Sequence, residues 1–154
     1  MLSDTARQKI QDVRKLYPSA RGALLPALYI AQKENGWLSA EALQAVSREL
    51  RIPEATVRGV ASFYAMFYKQ PMGRNVIQLC TNVACMILGA EPLVELISRT
   101  FRVQPGGTSP DGRFSLVIME CIGACGTAPA MLVNTDFHEN LTAENILGIL
   151  EGYK

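Results

Sequence analysis

The sequence predicts an α/β protein, with a helical bundle over residues 1–70 followed by an α/β domain over residues 71–154. Three observations carry this reading. Apolar residues recur at helical spacing through the first third of the chain; from Asn75 onward the pattern becomes strand, helix, strand, strand, helix; and between them Lys69-Gln-Pro-Met-Gly-Arg74 breaks both periods. With 49% hydrophobic residues, a chain of 154 has ample material for a core.

Residues 5–16 place Ala6, Ile10, Val13 and Leu16 on one helical face, with Ser3 as the cap and Pro18 as the stop. A second helix covers residues 23–34. Pro26 sits in its first turn, where a missing N–H costs little, and Gly36 supplies the left-handed position past its end. Ser39 caps a third helix with Leu43, Val46 and Leu50 inward, and Ile52-Pro53 opens a fourth carrying Val57, Val60 and Ala61. The last two imitate a helix-turn-helix, but the second of them offers only Arg58, offset by Glu54, where a DNA reader needs several cations. Packing on itself or on a partner protein is the expectation for this region. Phe63-Tyr-Ala-Met-Phe-Tyr68 then sets four aromatics in six uncharged residues, as core packing or as a docking surface.

In the second part, residues 76–79 form a short strand ending on Cys80. Pro92 fits the first turn of a helix carrying Leu93, Leu96, Ile97 and Phe101, which leaves residues 86–90 irregular or as a separate turn. Residues 104–112 are a turn-rich loop, residues 114–119 the clearest strand, and residues 130–133 a further short one. Thr142 caps a last helix with Ile146, Leu147 and Leu150 inward and Gly152 at its end. The single histidine, His138, lies in a polar connector over residues 134–140, where it is expected to be solvated.

Charge and hydropathy exclude several functions. Fifteen Lys and Arg stand against 14 Asp and Glu, which leaves no electrostatic footprint for nucleic acid or anionic lipid. The N-terminus lacks a signal-type apolar stretch, and nowhere do about 18 uncharged apolar residues follow one another, so a cytosolic protein without membrane insertion is expected. Thiols stay reduced there, and an even cysteine count then reads as a ligand set or redox pair rather than as structural disulfides.

All four cysteines fall in two pairs, Cys80-Thr-Asn-Val-Ala-Cys85 and Cys121-Ile-Gly-Ala-Cys125. Each follows a strand-like run, so two turns at the ends of neighbouring strands can present four sulfurs to one point. Spacing alone admits a structural zinc tetrahedron and a 2Fe-2S cluster about equally. A redox dithiol is disfavoured because neither pair is Cys-x-x-Cys, and one histidine cannot supply a Rieske centre. Two features tilt the balance toward iron. Ala84, Gly123, Ala124 and Gly126 let backbone N–H groups approach bridging sulfides, and a chain this rich in apolar residues needs no metal staple to fold. The backbones expected to tune such a cluster are those of Thr81, Asn82, Val83, Ile122, Gly123, Ala124 and Gly126. With neither a G-x-G-x-x-G after a strand nor a P-loop, the chain shows no sign of binding a nicotinamide or flavin, so its electron must come from a partner.

Cys80-Thr-Asn-x-x-Cys85, Pro110-Asp-Gly112 before a strand, Glu120-Cys121-x-Gly-Ala-Cys125 and Ala128-Pro129, in that order, resemble the small 2Fe-2S subunit of the NADH-oxidising module of respiratory complex I, the NADH:quinone oxidoreductase. Gly36-Trp-Leu-Ser39 and Phe63-Tyr-Ala-Met-Phe67 look like the same family's N-terminal region, so the resemblance spans nearly the whole chain. It implies a four-helix N-terminal part and a thioredoxin-like α/β ferredoxin domain binding one 2Fe-2S cluster through Cys80, Cys85, Cys121 and Cys125, with Pro129 at a cis-proline position. It implies docking against a larger flavin subunit that holds FMN, NADH and a 4Fe-4S cluster, among other peripheral-arm subunits on the cytoplasmic side of the inner membrane. The cluster would take an electron from the reduced flavin and lie off the main route to quinone; the isolated chain would carry electrons without oxidising NADH. Phe137 stands where a Tyr is expected, which puts no ligand in doubt. The diaphorase subunits of bidirectional hydrogenases and NAD-linked formate dehydrogenases share the cysteine pattern and form the alternative. An iron-sulfur regulator and a zinc-stabilised interaction module are readings from other classes.

Overall fold

The computed structural model describes residues 2–154. The chain divides into two compact units between Pro71 and Met72, within the segment where Pro and Gly interrupt the sequence pattern.

The first unit holds α1 (Asp4–Lys15), α2 (Leu24–Asn35), α3 (Ala40–Leu50) and α4 (Glu54–Phe63). Ser3 and Ser39 cap α1 and α3 by accepting from the N–H of Ala6 and Ala42, and Gly36 ends α2 at φ 76°, where a side chain would be strained. Ile10, Ala27, Leu28, Val46 and Val57 are buried in one core. Leu16, expected on the inner face of α1, is instead 79% exposed. The helix ends at Lys15, so Leu16 lies past the last residue that the helical period aims at the core. The aromatic segment divides its roles: Phe67 is buried and meets Tyr29 and Tyr64 edge to face, while Phe63 is 80% exposed. Gln32 fixes this segment by donating to Met66 O and accepting from the Tyr68 N–H.

The second unit runs β1 (Asn75–Cys80), α5 (Val83–Ile87), α6 (Ala90–Phe101), β2 (Phe114–Met119), a 3-10 turn (Cys125–Thr127), β3 (Met131–Val133), β4 (Asp136–His138) and α7 (Ile146–Glu151). The sheet order is β2-β1-β3-β4. β1 lies parallel to β2 and antiparallel to β3, and β3 pairs antiparallel with β4. All six residues of β1 are buried, as suits a strand with neighbours on both sides. Ile77, Leu79, Leu93, Ile97, Phe114, Leu116 and Met131 form its core with Ile146 and Leu150 of α7. Residues 104–112 run along the outer side of β2, with Gly106 N–H donating to Leu116 O and Leu116 N–H to Gly107 O.

Two elements differ from the sequence reading. Residues 83–87 are a one-turn helix, because the Asn82 side chain accepts from the Val83 N–H and so starts it. The connector after β3 contains β4, made possible by Asn134 at φ 58°, a conformation asparagine tolerates better than most residues. His138 on that strand is therefore engaged rather than merely solvated: its Nε2 lies 2.8 Å from the Tyr153 hydroxyl, which donates to Asp136 Oδ2.

Candidate metal centre

Because β1 and β2 are parallel and pair Cys80 with Met119, both strands end at the same margin of the sheet. Cys80 closes β1, and Cys121 follows β2 by two residues. Cys85 is carried on α5. Cys80 and Cys85 are buried and pack with Ala90, and Ile122 and Ala128 of the second turn lie against them. Cys121 and Cys125 are exposed, the latter opening the 3-10 turn. None of the four is paired in a disulfide.

One main-chain N–H is hydrogen-bonded to a sulfur, and others lie close enough to two more to act on them. The Gly123 N–H donates to Cys121 Sγ at 3.4 Å, from a residue at φ 81° that only glycine adopts without strain. At Cys80 burial pushes the thiol pKa up, but the N–H groups of Asn82 and Ile122 and the thiols of Cys85 and Cys121 outweigh it, so the net shift is downward. At Cys85 burial and the adjacent Cys80 sulfur raise the pKa, Cys125 adds to this, and the Ala130 N–H opposes it. The Thr81 and Val83 amides, expected to face the sulfurs, are bonded elsewhere: Thr81 N–H to Met119 O, because the strand pairing continues past Cys80, and Val83 N–H to the Asn82 side chain that caps α5.

The thiols adjoin in sequence, Cys121 to Cys80 to Cys85, with Cys125 near enough to act on Cys85. Among the described residues no three His, Cys, Asp or Glu side chains are gathered tightly enough to hold a single metal ion. The donor chemistry suits a thiolate-bound iron-sulfur group: four cysteines from two turns, with N–H groups directed at the sulfurs whose negative charge they would offset. The Ala130 amide is the contributor that the sequence reading missed. Its signal lies in the pairing of β3 with β1, where Cys80 N–H donates to Ala130 O and draws that backbone against the buried cysteines. The Ala128–Pro129 peptide just before it is cis. Beside Cys85, α5 and the residue after it expose Val83, Met86, Ile87 and Leu88, with Ile87 at 74%.

A parallel β1/β2 pair with cysteine turns at one margin, backed by antiparallel β3 and β4, describes a ferredoxin of thioredoxin-like architecture. Residues 10–154 match the thioredoxin-like 2Fe-2S ferredoxin family, and the chain belongs to it. It is similar to one of the NADH-quinone oxidoreductase E subunits of Rhizobium meliloti strain 1021, that numbered 2, at 41% identity over 150 residues, 97% of this chain and 89% of that protein. The E subunit of the Escherichia coli K12 NADH-quinone oxidoreductase is 39% identical over 153 residues, 99% of this chain and 92% of the relative. Among solved structures, an NAD+-reducing NiFe-hydrogenase in its H2-reduced state superposes with a TM-score of 0.74 at 29% identity over 89% of this chain. That match spans only 23% of the hydrogenase chain.

Proposed function

We propose that this chain is the electron-transfer subunit of an NADH:quinone oxidoreductase, holding one 2Fe-2S cluster on Cys80, Cys85, Cys121 and Cys125 and exchanging single electrons with FMN on a partner flavin subunit. The observation that carries this is the end-to-end similarity to the E subunits of NADH-quinone oxidoreductases, joined to four cysteines set at one margin of the sheet. A bound cluster supplies a one-electron couple. The chain's own residues set its terms: the Gly123 amide donates to Cys121 Sγ, the amides of Asn82, Ile122 and Ala130 lie close enough to act on Cys80 and Cys85, and all favour the more negative reduced form, whereas burial of Cys80 and Cys85 disfavours it. The backbones of Ala124 and Gly126 complete the exposed turn around Cys125.

The exposed apolar residues of α5 flank the buried pair, which suits a face for the flavin subunit, since it would bring donor and acceptor close while excluding water. No helix among the described residues is long and apolar enough to cross a membrane, and we place the chain among the peripheral-arm subunits on the cytoplasmic face of the inner membrane. FMN and NAD(H) belong to the partner. The likeness to an NAD+-reducing hydrogenase favours one second reading, the equivalent diaphorase subunit of such an enzyme.

The test is reconstitution with the flavin subunit followed by NADH. The expected result is a red-brown protein whose visible bands bleach with NADH only when the flavin subunit is present. A colourless protein holding tightly bound zinc, or a cluster that NADH never reduces in the complex, overturns the proposal.

A further inference from the structure

The two halves of the cysteine site are held in different ways. Cys80 and Cys85 are fixed by burial, whereas Cys121 and Cys125 lie on an exposed turn that packs on the buried pair through the partly buried Ile122 and Ala128. What restrains the far end of that turn is Thr127, two residues after Cys125, and all three of its hydrogen-bonding groups are engaged. Its N–H donates to Ala124 O at 3.1 Å and closes the 3-10 turn; its carbonyl accepts from the Asn140 N–H at 2.8 Å; and its hydroxyl donates to Glu139 Oε2 at 2.6 Å.

The segment that meets it is itself anchored. Leu141 is buried and donates through its N–H to Pro129 O, Asn140 O accepts from Asn145 Nδ2, and Asn140 stands at φ 51°. Glu139 is thereby presented to the cysteine turn from a fixed support. An exposed carboxylate bonded to a hydroxyl in this way adds little to global stability, because water competes for both partners. Its value lies in direction: it fixes the residue that sets where the Cys125 sulfur points.

We propose that the Thr127–Glu139 hydrogen bond is a clamp on the exposed half of the cluster site, with both residues acting as positioning residues for Cys125. The inference rests on the four cysteines being the cluster ligands. Groups bonded directly to a metal ligand typically change affinity by about 10- to 100-fold when removed, and a clamp acting one step further out is expected at the lower end of that range.

The clamp is tested on the full-length holoprotein with four variants. Thr127→Val and Glu139→Ala break the bond; Thr127→Ser and Glu139→Gln keep a donor and an acceptor in place. Cluster loss to an excess of EDTA is followed by visible absorbance, and the reduced cluster is examined by electron paramagnetic resonance. The expected result is loss on the order of tenfold faster for the two breaking variants, with shifted g-values, and near wild-type behaviour for the two conservative ones. Equal rates and spectra in all five proteins overturn the clamp, as does equal damage from the breaking and conservative variants. A wild-type protein that holds no iron-sulfur cluster at all removes the ligand reading itself, and the clamp with it.

Discussion

Arg113, just before β2, ties the C-terminal segment of the second unit to the sheet through a single side chain. Its Nε donates to Tyr153 O at 2.6 Å and its Nη2 to Leu150 O at 3.0 Å, while the guanidinium lies 4.6 Å from the centre of the Phe114 ring. Leu150 lies in the last turn of α7 and Tyr153 just past its end, where a cation is also favoured by the helix dipole. Arg113→Met keeps the bulk over the ring but leaves the carbonyls without their donor; we expect a loss of about 2 kcal/mol in a urea titration. Two residues earlier, the Ser109 hydroxyl and the Arg113 N–H both donate to Asp111 and hold its pKa below the ordinary value of 3.8. A depressed carboxylate contributes stability that is complete above its unfolded pKa and is lost as pH falls through its lower folded pKa. Asp111→Asn should therefore melt below wild type at neutral pH, and the gap should close as the pH drops under 3.8; a constant gap contradicts this. At this scale the sequence was legible only where chemistry is local. The cysteines, Asn82 and Gly123 sit in short motifs whose turns can be read directly, but the Ala130 amide and the acceptors of Arg113 reach their places through strand pairing and helix packing from distant parts of the chain.

At the scale of elements, the long periodic helices and the strand over residues 114–119 could be read because their cores repeat at a fixed interval. α5 could not, being a single turn with no repeat to detect, started by one side chain. Its consequence is a small apolar face at Val83, Met86, Ile87 and Leu88 that the fold itself does not cover. Ile87→Asp is expected to leave folding and cluster colour unchanged while weakening association with the flavin subunit by roughly tenfold or more, as measured by calorimetric titration. Unchanged affinity would place the docking face elsewhere. β4 escaped notice for the opposite reason: Asp136, Phe137 and His138 are exposed or only partly buried, so no alternation of apolar and polar residues marks them as a strand.

For the molecule as a whole, the change in sequence pattern near residue 70 corresponds to two separate cores. The one beneath the sheet draws only on residues of the second unit, from Ile77 to Leu150. All four cysteines also belong to that unit. We expect a fragment spanning residues 72–154 to unfold cooperatively and to accept a reconstituted cluster with the same visible spectrum as the full chain. A fragment lacking a cooperative transition by circular dichroism would show that the helical unit is needed for the sheet to form.

The loop over residues 104–112 has a consequence of its own. A four-stranded sheet has two outer margins, and an open margin is a template onto which a neighbouring polypeptide can add. Here the loop lies along β2 and takes up the amide and carbonyl of Leu116, while at the far side β4 is only three residues long. One margin is covered along its first half and the other is very short, so little open edge is left onto which a second copy could add a strand.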